Sequence, residues 1–206
     1  METKYISQSG IEQWFNAIVT SGKRVFAPVN SRGQVDFKPV KKLSEVAGEY
    51  IQTTQSIKAS VYPKAEVLFS YEKVNGKVNL TDFDPESVPE TVLWKVHPCD
   101  AAGFKPLSAI FNWDTADKLH NAHLVKTSVI SFSCAAADES CFCTSVNGSP
   151  GNTAGSDIQL TMFPDGGAIV EILTAKGEAL AAFLPEVFEA DKGEKKEKYL
   201  VDLPVR

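Results

Sequence analysis

Four cysteines are the residues of this chain best suited to chemistry, and all of them fall within residues 92–143. An apolar run, Val92-Leu93-Trp94-Lys95-Val96, leads into His97-Pro98-Cys99-Asp100. A second run, Val129-Ile130-Ser131-Phe132, leads into Cys134 and then Cys141-Phe142-Cys143. Each thiol group therefore follows a predicted strand. In an α/β domain the carboxyl ends of neighbouring strands share one edge, where ligands bind, so the two groups can converge across the intervening chain. The Cys-x6-Cys-x-Cys spacing matches neither the paired Cys-x2-Cys knuckles of zinc sites nor the Cys-x2-Cys-x2-Cys run of bacterial ferredoxins. Four thiolates are nonetheless the number a cubane cluster takes, and thiolates suit iron–sulfur clusters where carboxylates suit harder ions. The pattern points to one iron–sulfur site.

Within that site, Cys141 and Cys143 would project to one face of an extended segment, and residues 135–140 leave slack for Cys134 to supply a third ligand. The fourth is Cys99 by softness, with the neighbouring Asp100 as the alternative. Cys99 stands at the mouth of a predicted helix, where free amides and the helix dipole favour a thiolate. Three readings compete: four small buried hydrophobes, a structural zinc, and a catalytic thiol. The first leaves three cysteines of a polar loop open to oxidation. The last needs a base, and His97 is too close along the chain to Cys99 to serve it by default. His120 and His123, spaced i, i+3, could share a metal, although histidines at a core edge are the commoner case.

The rest of the chain must position these groups. With 206 residues, 43% of them hydrophobic, it can bury one sizeable core, and the expected architecture is α/β, with α+β as the alternative: a single domain, 1–206, whose mixed sheet is flanked by helices. A net charge of −5 with scattered lysines and arginines excludes a nucleic-acid stripe. No leader-like or membrane-spanning run is present, so a cytoplasmic protein with reduced or metal-bound cysteines is expected.

In chain order, residues 9–21 predict a helix capped by Ser9, with Ile11, Trp14, Phe15, Ile18 and Val19 on its apolar face. Residues 24–29 and 34–40 read as strands around Asn30-Ser31-Arg32-Gly33. Residues 48–71 form a tether bent at Pro63. Its Lys58 and Lys64 are solvated, or one of them faces the cluster edge. Turns follow at Asn75-Gly76 and residues 82–89. Asp100 would cap a helix burying Phe104, Leu107, Ile110 and Phe111, shortened or kinked by Pro106. A further helix is predicted over 115–123 and a central strand over 125–132. The glycine-rich residues 147–156 could bring backbone amides to a cluster sulfur or a phosphate, though no nucleotide-binding spacing is present. Residues 157–163 and 168–173 read as a hairpin, 177–188 as an amphipathic helix, and 199–206 as a docking tail or frayed end.

Several pieces together carry a family resemblance: Phe26-Ala27-Pro28-Val29, Ser56-Ile57-Lys58 through Pro63 to Glu66-Val67-Leu68-Phe69, His97-Pro98-Cys99-Asp100, Ser133-Cys134 through Cys141-Phe142-Cys143-Thr144-Ser145, and Gly155-Ser156-Asp157-Ile158. They resemble the N-terminal domain of the sulfhydrogenase (hydrogenase/sulfur reductase) beta subunit family, a group that also includes one of the subunits of anaerobic sulfite reductase. In that family the domain precedes a region with two ferredoxin-like cysteine runs, which this sequence lacks. The resemblance implies an electron-transfer component of a multi-subunit oxidoreductase in anaerobic metabolism, working beside ferredoxin-like, flavin-containing or hydrogenase and reductase subunits. Cys99, Cys134, Cys141 and Cys143 would hold one [4Fe-4S] cluster, Phe142 would shield one of its faces, and Lys58 or His97 would raise its potential.

Overall fold

The apolar runs become the inner strands of one sheet. The computed structural model describes residues 2–204, so Val205 and Arg206 of the predicted tail lie outside it. In chain order the elements are β1 (Glu2–Ile6), α1 (Gln8–Thr20), β2 (Arg24–Ser31), β3 (Gln34–Pro39), β4 (Phe69–Val74), β5 (Lys77–Asp82), β6 (Thr91–Val96), α2 (Pro98–Ala102), α3 (Phe104–Phe111), α4 (Lys118–Lys126), β7 (Thr127–Phe132), β8 (Ile158–Met162), β9 (Ala168–Ile172), α5 (Ala175–Ala181) and β10 (Phe188–Ala190). Eight strands form a mixed sheet in the order β10-β1-β9-β8-β7-β6-β2-β3, while β4 and β5 pair only with each other. The inner strands β2, β6, β7 and β8 run parallel, and antiparallel pairs close both flanks. The molecule is an α/β domain, as its sequence predicts.

Both faces of the sheet are covered, which is why β6 reads as a continuous apolar run. On one face α1 and α5 bury Trp14, Phe15, Ile18 and Leu180 against Trp94, Ile130 and Leu160. The Trp14 and Trp94 rings lie 5.3 Å apart, Phe15 meets Trp94 edge-on at 5.0 Å, and the Trp14 indole donates to the Leu180 carbonyl at 2.8 Å. On the other face Ile57, Val61, Ala101 and Phe104 pack on Leu93, Val96 and Val129. Each such fully buried side chain contributes roughly 1.5–3 kcal/mol.

Several boundaries differ from the sequence reading for local reasons. Ser7, not Ser9, caps α1, its hydroxyl accepting from the Gly10 amide. The N-terminal β1 was not expected; it lies between β9 and β10. The helix after Pro98 breaks at Gly103 into α2 and α3, so Pro106 falls in a first turn, where it costs no hydrogen bond. Within α3 only Phe104 is fully buried, and Ile110 is exposed. His97 occupies the N-cap position expected of Asp100 and caps with no side-chain bond. Asp117 caps α4, three residues later than the predicted start. The helix predicted to Phe188 ends at Ala181, and Phe188 instead opens the edge strand β10. The turn at Asn75-Gly76 proves to join the two strands β4 and β5.

Candidate functional site

Because β6 and β7 are adjacent and parallel, their carboxyl ends bring His97-Pro98-Cys99 and Cys134 to one edge of the sheet. A bulge in β6 sets the aim. Lys95 has φ 64°, the register slips between Trp94 and Val96, and the chain is turned just before His97. A non-glycine residue in that conformation is strained by about 1–3 kcal/mol and needs support around it. The support comes from the tether: the Tyr50 hydroxyl donates to the Lys95 carbonyl at 2.6 Å, and the Lys95 ammonium donates to the Ala47 and Gly48 carbonyls.

All four cysteines line one pocket of about 470 Å³, together with His97 and Asp100. Ile51, Gln52 and Thr53 of the tether form one wall and Val201 and Leu203 of the C-terminal segment another. The two cysteine groups thus converge as their sequence positions predict. The local geometry differs: Phe142 has φ −137° and ψ 17°, and Cys143 opens a short 3-10 turn, so Cys141 and Cys143 do not share an extended segment. Asp138 organises the loop between them and Cys134. Its carboxylate accepts from the Ser140 amide and hydroxyl, and its amide and carboxylate approach the Cys141 sulfur at 3.5 and 3.6 Å.

The thiols feel one another. Burial pushes the Cys134 thiol up to about 12, with Cys99, Cys143, Cys141 and Asp100 adding like charge. Cys99 is exposed as a residue, yet protein crowding around its sulfur and the Asp100 carboxylate beside it push its pKa up to about 11. The expected stabilisation of a Cys99 thiolate at the helix mouth is overturned: backbone amides do favour the anion, but burial and like charge outweigh them. Burial also raises the Asp100 carboxyl, opposed by Lys58, which stands near it on the solvent side. Four thiolates and a carboxylate at one pocket repel, and bound cationic metal relieves that repulsion while displacing the thiol protons.

His97 lies within the same pocket. Its Nδ1 is 3.5 Å from the Cys134 sulfur, and its ring packs against Tyr50, tilted by 36° with centroids 4.2 Å apart. Its Nε2 is buried with no partner in hydrogen-bonding geometry, although the Tyr50 backbone lies near enough to raise the ring's pKa against the burial that lowers it. His97 is too close along the chain to serve Cys99 by default, and the fold sets it beside Cys134 instead. Phe142 is exposed at the pocket mouth, and Lys64 is tied to Gln55 at 2.9 Å, away from the thiols.

As they stand, no three His, Cys, Asp or Glu side chains among the described residues form a group that could hold a metal ion. The thiols ring the pocket without meeting at one point. A donor set of four thiols around a shared space fits, in kind, a polynuclear cluster, in which each cysteine binds a different iron.

Two elements that the sequence left open complete the site. The glycine-rich loop packs on α2, where a Cβ at Gly155 (φ 78°) would stand 2.0 Å from the Ala101 carbonyl oxygen. Its Pro150 carbonyl accepts from the Cys134 amide at 2.9 Å. As far as Pro204 the C-terminal segment lies against the pocket: the Val201 amide donates to the Cys134 carbonyl at 2.8 Å and the Thr144 hydroxyl to the Pro204 carbonyl at 3.0 Å.

The histidine pair on α4 holds no shared site. His120 is buried, its Nδ1 3.2 Å from the Val61 carbonyl and its Nε2 3.0 Å from the Ser108 hydroxyl, with Phe111 stacked on the ring. His123 instead meets Glu66 at 2.5 Å. His120→Ala leaves two polar groups unsatisfied and a stacking partner bare, so unfolding in urea should show a loss of about 2–3 kcal/mol while iron content stays unchanged.

Fold and site together define an α/β domain with a thiol-lined pocket at the carboxyl edge of its parallel strands. In sequence the chain is similar to the sulfhydrogenase 2 subunit beta of Pyrococcus furiosus, at 27% identity over 177 residues. The match covers 86% of this chain and 50% of the relative, so the chain spans about half the relative's length. No family model matches the chain, and no solved structure matches it. Among the described residues no helix is long and apolar enough to cross a membrane.

Proposed function

We propose that this chain is an iron–sulfur electron-transfer subunit of a multi-subunit oxidoreductase, holding one [4Fe-4S] cluster through Cys99, Cys134, Cys141 and Cys143. The observation that carries the reading is the convergence of every cysteine in the sequence on one pocket at the carboxyl edge of β6 and β7. Similarity to a sulfhydrogenase subunit supports the redox setting and the presence of partner subunits, whether ferredoxin-like, flavin-bearing or hydrogenase and reductase chains. The cytoplasm, where free thiols stay reduced, is the compartment that suits such a site. When bound, the cluster supplies one-electron transfer.

The chain's own residues do the rest. His97, buried against Tyr50, offers a polar edge beside the Cys134 sulfur. Burial raises the Asp100 pKa and the nearby Lys58 charge opposes that rise; the same charge would raise the potential of a bound cluster. Phe142 narrows the mouth. Excluding water and aiming dipoles at the sulfurs are the levers by which a protein sets a cluster's potential.

Protein purified without oxygen should contain about four irons and four acid-labile sulfides per chain, with an EPR signal on reduction. One zinc, or no metal, overturns the reading and leaves a structural adaptor that docks a reductase subunit. The fourth ligand is tested by Cys99→Ser against Asp100→Ala. A thiolate is the softer donor, so Cys99→Ser should lose most of its iron and Asp100→Ala should keep it.

A further inference from the structure

The hairpin of β4 and β5 belongs to neither the main sheet nor the pocket. Every residue of both strands is exposed. Its register nevertheless sorts side chains by face. Directly opposed residues of an antiparallel pair point the same way, so Phe69 with Asp82, Tyr71 with Leu80, and Lys73 with Val78 share one face. The other face carries Ser70, Glu72, Asn79 and Thr81, with Val74 and Lys77 at the turn. Phe69, Tyr71, Val78 and Leu80 are 57%, 71%, 58% and 67% exposed. An isolated two-stranded hairpin is marginal in water, and an apolar face of this kind marks a contact surface.

We propose that this face pairs with the same face of a second copy of the chain, stacked antiparallel about a two-fold axis that crosses the strands between Tyr71 and Leu80. The charges select that occupant. An isologous interface must be self-complementary, and this face has an apolar centre with a cation, Lys73, at the turn end and an anion, Asp82, at the base. Stacking base on turn sets Tyr71 against Tyr71 and Leu80 against Leu80. It also lays the lysine at position 73 of each copy over Phe69 and beside Asp82 of the other, where ring and carboxylate both attract it. At the usual spacing of packed sheets, roughly 10 Å, a lysine stem spans the gap. Stacked parallel, the same faces would set Lys73 on Val78 and Asp82 on Phe69, pairing no charges.

Sedimentation velocity of the full chain, purified without oxygen and run over a concentration series, reads the pairing. Wild type should pass from monomer to dimer. Leu80→Asp should weaken association by about 100-fold or more, because symmetry places two carboxylates at the axis. Its circular dichroism and melting should match wild type, since the hairpin contributes nothing to either core; Tyr71→Ser is the milder second variant should Leu80→Asp fold poorly. Lys73→Asp and Asp82→Lys should each weaken the dimer, and the double exchange should restore it. A wild type that is monomeric throughout leaves the face to a different protein and overturns the proposal. So does a dimer indifferent to Leu80→Asp and Tyr71→Ser, or a double exchange no better than its parents.

Discussion

Cys141→Ser, purified without oxygen, should carry iron and sulfide at background level and show no visible absorbance. A serine oxygen is a harder donor on a shorter arm, and the sulfur it replaces sits in the middle of the cysteine loop, held there by Asp138. The loop keeps its own turn without metal, because Ser140 still donates twice to Asp138 and Cys141 still offers its amide to the Asp138 carbonyl at 3.2 Å. The effect on stability then comes through the lost ligand. A group bound only by the folded chain adds stability by mass action, so metal-loaded wild type should melt well above the variant, and wild type stripped of iron should melt with it. Full iron and sulfide in Cys141→Ser would remove Cys141 from the ligand set and with it the four-cysteine cluster.

The sequence makes the centre of this fold legible because β6 and β7 are buried on both faces and carry apolar runs at their middles, Val92-Leu93-Trp94 and Val129-Ile130. Trp94 and Ile130 announce them, and the cysteines following each run are then placed by the general geometry of parallel sheets. The sequence is silent about features that hydrophobic pattern does not encode. Lys95, a long cation in a strand, carries no sign that its φ is positive or that the bulge re-aims His97. Tyr50 reads as one aromatic in a polar tether, although it supports that bulge and packs its ring against the histidine. The β4–β5 hairpin escapes because neither strand is buried, so alternation in Phe69, Tyr71, Val78 and Leu80 serves a surface and not a core. Glycines at 147–156 look like a ligand cradle from composition alone. The structure assigns Gly155 to close backbone packing against α2, a role that only the neighbour's position reveals.

Lys196→Met should destabilise the chain by about 2–4 kcal/mol in urea unfolding, somewhat less than a fully buried pair loses because the ammonium is partly open to solvent. Glu171, the fourth residue of β9, has its side chain only 6% exposed and takes contacts to both carboxylate oxygens from Lys196, at 2.7 and 2.9 Å. The same ammonium reaches the Gly151 carbonyl at 3.2 Å and Gln159 Oε1 at 3.4 Å, while Gln159 donates to the Asn152 carbonyl at 2.7 Å. One lysine thus ties the C-terminal segment to the sheet and to the loop whose Pro150 carbonyl holds the Cys134 amide. Downstream, Leu200 packs on Gly151 and Val201 bonds Cys134, so loosening Lys196 loosens a wall of the thiol pocket. Iron should therefore leave Lys196→Met faster in air than it leaves wild type, followed by loss of visible absorbance. Removing both charges, as Lys196→Met with Glu171→Met, should recover most of the unfolding free energy, since an apolar pair of similar volume replaces a buried ion pair at little cost. It should not recover the iron retention, because the bonds to Gly151 and Gln159 are lost in either case. If Lys196→Met loses iron no faster than wild type, the C-terminal segment stabilises the sheet alone and the pocket wall is held by Val201 and Thr144.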